Sequence, residues 1–274
     1  MTRRVWAATT SVDYGGYGET PLELYWIHFL CVAGFVAAFV DSIAGGGGLI
    51  SLPALIASGV PPHLALGTNK FASTCASMTS TVKFARSGKI RFGLVRWQIP
   101  CTAVGAALGV RTVLHLDEAF LTGMIVVLVF AVALYTFLKK DFGAVDRSTD
   151  LTRGRIAAGM VFALALGFYD GFFGPGTGSF LIFLFIRVFG FDFTVAAGNG
   201  KILNFTSNIV SLVLFAVGGK IVYLAGVPMA LFMIAGAWAG THVAVRNGAR
   251  VIRPIFLTIA VALAVKLIWQ AVAG

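Results

Sequence analysis

Twice along its length the chain sets one carboxylate and a run of glycines between apolar segments. The first stretch is Asp41-Ser42-Ile43-Ala44-Gly45-Gly46-Gly47-Gly48, and the second is Asp170-Gly171-Phe172-Phe173-Gly174-Pro175-Gly176-Thr177-Gly178. Glycine runs leave backbone amides unpaired, and a carboxylate holds a charge. Neither is tolerated against lipid, which hydrogen-bonds no exposed amide, so both must be buried in protein or line a watery cavity. The chain around them is bilayer-like: 58% hydrophobic, 12% charged and of mean hydropathy +0.89, against about 25% charged in an average soluble domain. The fold class is therefore an all-α polytopic membrane protein.

The net charge of +10 would suggest a nucleic-acid partner in a soluble protein. In a membrane protein it reads as basic residues in short cytoplasmic loops, with lipid as the surrounding partner and no nucleic acid. Cys31, Cys75 and Cys101 fall in apolar segments without paired spacing. They read as buried thiols, with no disulfide framework and no metal site. Residues 1–24 form an N-terminal tail in which Asp13, Glu19 and Glu23 break any signal-peptide core, so the first apolar run is expected to stay in the mature chain.

The apolar segments run 25–41, 49–58, 64–84, 97–113 and 119–138 in the first membrane repeat, residues 25–138. A polar linker, 139–155, follows. The second membrane repeat, 156–273, has segments at 155–170, 178–189, 196–217, 222–243 and 254–273. The piece before Asp41 is about 24 Å of helix at 1.5 Å per residue, short of the ~30 Å hydrocarbon core. Paired with the short piece after Gly48, it suggests two interrupted half-helices meeting at the glycine run. Segment 64–84 is rich in hydroxyls (Ser73, Thr74, Ser77, Thr79, Ser80, Thr81), which suits a helix facing protein or a cavity.

The two halves align in order. Asp41 matches Asp170 and Gly45 matches Gly174 at an offset of 129. After a two-residue insertion the offset is 131, and Gly67 matches Gly198, Lys70 matches Lys201, Gly88-Lys89-Ile90 matches Gly219-Lys220-Ile221, and Gly105-x-x-x-Gly109 matches Gly236-x-x-x-Gly240. Loop charge gives the orientation. Lys83, Arg86, Lys89, Arg91 and Arg96 place 83–96 inside, whereas the matching loop 214–227 carries only Lys220. With 139–155 and 246–253 also inside, matching spans run in opposite directions. The expectation is two inverted repeats of about five helical segments each, with both termini outside.

Inverted repeats with interrupted helices put a substrate near the midplane, where the repeats meet. Each glycine run leads into a helix N-terminus, which offers free amides and partial positive charge. Lys70 and Lys201 lie at bilayer depth, where a lysine requires an anionic partner or water. These features make a site for a small anionic substrate, assembled from Gly45, Gly46, Gly47, Gly48, Asn69, Lys70, Gly174, Gly176, Thr177, Gly178, Asn199, Lys201 and Asn204. Thr68, Ser207 and Asn208 are further neutral donors. Asp41 and Asp170 are open to three roles: structural ion pairs with the lysines, gates that part when an anion arrives, or proton carriers. His28, His63, His115 and His242 sit near segment ends and read as interfacial. No catalytic residue, cofactor or metal is expected, and a homo-oligomer stays open.

Several tempting patterns fail. Gly45–Gly48 lacks the lysine of a phosphate loop, and Gly174–Gly178 lacks the strand and acid of a dinucleotide fold. The sequon Asn204-Phe205-Thr206 falls in a buried segment. A cation carrier or channel would find Lys70 and Lys201 repelling its ion. An intramembrane aspartyl protease is the remaining rival, but no Gly-x-Gly precedes the first aspartate.

The run Phe39-Val40-Asp41-Ser42-Ile43-Ala44-Gly45-Gly46-Gly47-Gly48-Leu49-Ile50, then Gly67-Thr68-Asn69-Lys70 and Gly88-Lys89-Ile90, resembles the sulfite exporter TauE/SafE family, also called the toluenesulfonate uptake permease family. Asp170–Gly178, Gly198-Asn199-Gly200-Lys201 and Asn204 extend the resemblance to about residues 25–270. It implies secondary transport of sulfite or an organosulfonate across a bacterial plasma membrane by a multi-pass protein. One departure stands out: Gly200 separates Asn199 from Lys201, whereas Asn69 and Lys70 are adjacent, so the halves are expected to contribute unequally.

Overall fold

A computed structural model describes residues 9–13, 19–138 and 152–247. The N-terminal tail contributes a short antiparallel ribbon, β1 (Thr9–Asp13) against β2 (Glu19–Glu23), with Thr9 opposite Glu23. The rest of the described chain is helical: α1 (Leu24–Ala44), α2 (Gly48–Ala57), α3 (Pro62–Arg86), α4 (Phe92–Leu114), α5 (Glu118–Leu138), α6 (Arg153–Phe172), α7 (Thr177–Phe189), α8 (Phe193–Val217) and α9 (Tyr223–Asn247). The expected span 254–273, linker residues 139–151 and the basic cluster beyond Asn247 lie outside the described residues. By length and composition α1, α6, α8 and α9 are apolar enough to cross a membrane, and the protein is multi-pass.

Most helices extend past the apolar segments into polar ends. Asp192 caps α8, accepting from the amides of Thr194 (2.8 Å) and Val195 (3.2 Å), and Pro62 opens α3. The helices before the glycine runs are longer than their apolar stretches. α1 has 21 residues, about 31 Å at 1.5 Å per residue, enough to cross the hydrocarbon core. Asp41 does not break it. The helix continues through Ser42, Ile43 and Ala44, and the Gly45 amide closes the last turn on the Asp41 carbonyl at 3.0 Å. The turn comes at Gly45 and Gly46, whose φ values of +76° and +91° side chains rarely adopt. The second half does the same. Asp170 lies within α6, and the turn follows at Gly174 and Gly176, with φ of +95° and +87°. Each unit is therefore one long helix and one short one: α2 has 10 residues and α7 has 13.

The most extensive helix pairings are α1 with α9 and α4 with α6. In lipid, helices associate by close packing rather than by escape from water, and small residues permit it. A Cβ built on Gly105 or Gly109 would land on the carbonyl oxygen of Leu164 or Phe168. One built on Gly236 or Gly240 would land on that of Phe35 or Phe39. These contacts exchange under the sequence offsets: 131 carries the α4 glycines to those of α9, and 129 carries Phe35 and Phe39 to Leu164 and Phe168. The same exchange holds at the loops. Gly67 stands against the Lys220 carbonyl and Gly198 against that of Lys89. Thr68 Oγ1 accepts the Val222 amide at 2.9 Å, and Asn199 Oδ1 accepts the Arg91 amide at 2.9 Å. Each short helix also anchors its own apolar cluster. Leu49, Leu52 and Leu55 of α2 join one, and Leu181, Ile182, Phe185 and Phe189 of α7 join the other.

Candidate functional site

The two glycine turns meet. A Cβ on Gly45 would strike the backbone of Gly178 and Ser179, and one on Gly48 would lie 2.9 Å from Pro175 Cα. Ser179 Oγ donates to the Ala44 carbonyl at 2.9 Å, tying the start of α7 to the end of α1. The second turn is braced internally: Tyr169 OH donates to the Pro175 carbonyl and Thr177 Oγ1 to that of Gly174, both at 2.7 Å.

Beside these turns, α3 and α8 deliver two lysines to two carboxylates, each from the opposite half of the sequence. Lys70 Nζ is 2.9 Å from Asp170 Oδ2. Lys201 Nζ donates to Asp41 Oδ2 at 2.5 Å. The lysines are buried, as their depth demands, and each carries the counter-ion that makes burial tolerable. Lys70 also donates to Asn208 Oδ1 at 3.1 Å, Ser207 Oγ donates to Asp170 Oδ2, and the Gly47 amide donates to Asp41 Oδ1 at 3.2 Å.

A small cavity lies at this junction, with about 30 Å³ open to the centre of a water-sized sphere, and one such sphere needs about 10–15 Å³. It is lined by Asp41, Gly47, Gly48, Asn69, Lys70 and Ser73 on the first half, and by Asp170, Gly174, Gly176, Gly178, Asn204 and Asn208 on the second, with Ala76 and Met233 closing it. Asn69 Oδ1 is buried there without a hydrogen-bond partner, an unusual state for an amide oxygen and one that a ligand or water would relieve.

The structure thus gathers Gly47, Gly48, Asn69, Lys70, Gly174, Gly176, Gly178, Asn204, Asp41 and Asp170 around one space. Gly45 and Gly46 form the turn behind it, Thr177 is spent on the Gly174 carbonyl, and Lys201 reaches it through Asp41. Asn199 serves the far end of α8, holding Arg91 and the Val195 carbonyl (2.7 Å). At the constant offset of 131, Gly200 takes the place along α8 that Asn69 holds along α3, and Asn199 the place of Thr68, so the departure is a replacement rather than an insertion. Ser73, Ala76 and Met233 were not among the expected residues. The first two share a helical face with Asn69 and Lys70 at three- and four-residue steps, while Met233 of α9 has no sequence mark. Two other expectations change. His63 is buried rather than interfacial, with Nδ1 3.1 Å from Glu118 Oε1 and Nε2 3.0 Å from the Val113 carbonyl, because α3 begins inside the bundle. Cys31 is buried, but Cys75 and Cys101 are half-buried.

Each aspartate is engaged by a lysine, whereas a proteolytic pair needs two carboxylates sharing a proton. A multi-pass helical protein with paired charges around a central cavity belongs to the class of membrane transporters. The chain belongs to the sulfite exporter TauE/SafE family, whose sequence profile matches residues 30–267. It is 37% identical over 254 residues to a probable membrane transporter protein of Sinorhizobium, covering 90% of this chain and 94% of that one. It is 36% identical over 240 residues to one of Haemophilus influenzae, covering 88% and 93%. A third, of Escherichia coli K12, is 35% identical over 255 residues, covering 92% and 91%. No solved structure matches. The family is named for sulfite export and these relatives are named probable membrane transporter proteins, which sets the protease aside.

Proposed function

We propose that the protein is a secondary transporter of a small sulfur-containing anion, sulfite or an organosulfonate, working by alternating access between two inverted repeats. The carrying observation is the cavity wall. Lys70, the Asn69 and Asn204 amides, Ser73 and the glycine backbones of both turns line one space. Their N–H and O–H groups can donate to an oxyanion, while the Asn69 Oδ1 acceptor suits a water or a protonated oxygen, and the carboxylates now occupy the positions an anion would take: Asp41 receives Lys201 and an amide of the glycine run, and Asp170 receives Lys70. An arriving anion competes with them for these donors, so the pairs hold the empty carrier closed and loading releases a lysine from its carboxylate. The reciprocal helix contacts support the repeats, and the loop charges support their opposite directions.

Proton coupling through the carboxylates belongs to the same proposal, since an anion that draws a lysine away leaves a carboxylate charge that one proton would cancel. A cation carrier would need those carboxylates free, and both are neutralised by lysine. Radiolabelled sulfite counterflow in proteoliposomes tests the proposal. Sulfite loaded inside should drive uptake of label, with sulfonates competing and alkali or divalent cations not. Counterflow driven by a cation and indifferent to sulfite would overturn it.

A further inference from the structure

The two lysine–aspartate pairs correspond under the sequence offsets, yet they are held differently. The Asp170 side chain is 2% exposed, and that of Asp41 is 22% exposed. Asp170 Oδ2 receives both Lys70 and the Ser207 hydroxyl, and Lys70 is fixed in turn by Asn208. The 131-residue offset carries Ser207 and Asn208 of α8 back to Ala76 and Ser77 of α3. Ala76 has no hydroxyl to offer Asp41. Ser77 donates to the Ser73 carbonyl at 2.7 Å, not toward Lys201. Among the described residues Lys201 is held by Asp41, and Asp41 by Lys201 and the Gly47 amide. One pair is braced by two side chains, and its counterpart lacks both.

Charge balance gives this asymmetry a consequence. Two lysines and two aspartates make the site neutral. A monoanion entering it leaves one uncompensated negative charge in a buried space, and taking up one proton restores neutrality. The group that accepts the proton must leave its lysine, which then turns to the anion. Building on the small-anion transporter proposed above, we infer that this group is Asp41, and that Ser207 and Asn208 are positioning residues that keep Asp170 ionised on Lys70 throughout the cycle. The proton comes from water in the cavity that Asp41 lines, resides on the Asp41 carboxyl while the anion sits between Lys201 and Lys70, and leaves with the anion. The charged groups around Asp41 are Lys201 of α8, Lys70 of α3 and Asp170 of α6.

Infrared difference spectroscopy on the full chain in lipid vesicles tests this. The ligand is sulfite, with methanesulfonate as a second probe that carries no titratable proton. Anion addition should raise a carboxylic-acid carbonyl band, whose position the charge-preserving Asp41→Glu shifts and Asp170→Glu leaves unchanged. Ala76→Ser with Ser77→Asn, which gives Asp41 the missing braces, should move half-saturation of the band at least tenfold upward in anion concentration. Ser207→Ala with Asn208→Ser should add a second band, from Asp170, which a merely structural role for the two residues would not produce. A band that shifts in Asp170→Glu and not in Asp41→Glu overturns the inference. So does anion exchange by the wild-type protein with no band, which leaves the transport proposal standing. Failure of both exchange and binding overturns the two together.

Discussion

At the residue scale the burial of Lys70 is the strongest constraint. Its side chain is 3% exposed and that of Asp170 is 2% exposed. Removing one partner of such a pair strands a charge at a cost of about 3–5 kcal/mol, whereas replacing both with neutral groups often costs little. Lys70→Ala should therefore unfold at markedly lower temperature in detergent than the wild type. The double variant Lys70→Ala, Asp170→Asn should recover most of that loss while remaining inactive. A double variant less stable than the single one would mean that the pair is not coupled as described. Lysine and aspartate at bilayer depth were legible in the sequence because each alone is too costly to be incidental. Their crossed pairing, Lys70 with Asp170 and Lys201 with Asp41, was not, since sequence offers no measure of which helix faces which.

At the scale of the element, the glycines decide. Gly105 and Gly109 on α4 and Gly236 and Gly240 on α9 were readable as close-approach surfaces, and all four lie against a carbonyl of the neighbouring helix. Gly109→Val and Gly240→Val should each cost about 1–3 kcal/mol through forced separation of the helices. The reciprocal contacts predict similar falls in melting temperature for the two. A large loss for one and none for the other would show that the two seams are not equivalent. α1 and α6 run past their apolar stretches for a physical reason. Hydropathy stops at a charged residue, but a helix does not, and Asp41 and Asp170 both lie inside the helices they were expected to end. What ends the regular structure is backbone with positive φ at Gly45, Gly46, Gly174 and Gly176.

At the scale of the whole molecule, the offset series of glycines and lysines made the repeat visible before any coordinates. Its partner contacts, from Gly67 against the Lys220 carbonyl to Gly198 against that of Lys89, follow the same offsets. The direction of the repeats relative to each other rests on loop charge, and it yields a separate prediction. With the three native cysteines replaced by serine, Ser87→Cys and Gly218→Cys should react with a membrane-impermeant thiol reagent from opposite sides. Labelling of both from one side would contradict inverted repeats. The cavity was less legible than the repeat. Met233 comes from α9, and the unequal bracing of the two carboxylates depends on Ala76, Ser77, Ser207 and Asn208, which look like ordinary helix-packing residues until α3 and α8 stand beside the glycine turns.

The central claim is that the paired lysines hold a small anion. It is tested most directly by sulfite counterflow in proteoliposomes with Lys70→Ala and Lys201→Ala, each reconstituted at the wild-type level. Exchange should fall by at least tenfold in both variants, because each loses a cation that the anion is meant to contact. Exchange at the wild-type rate in either variant would contradict the account.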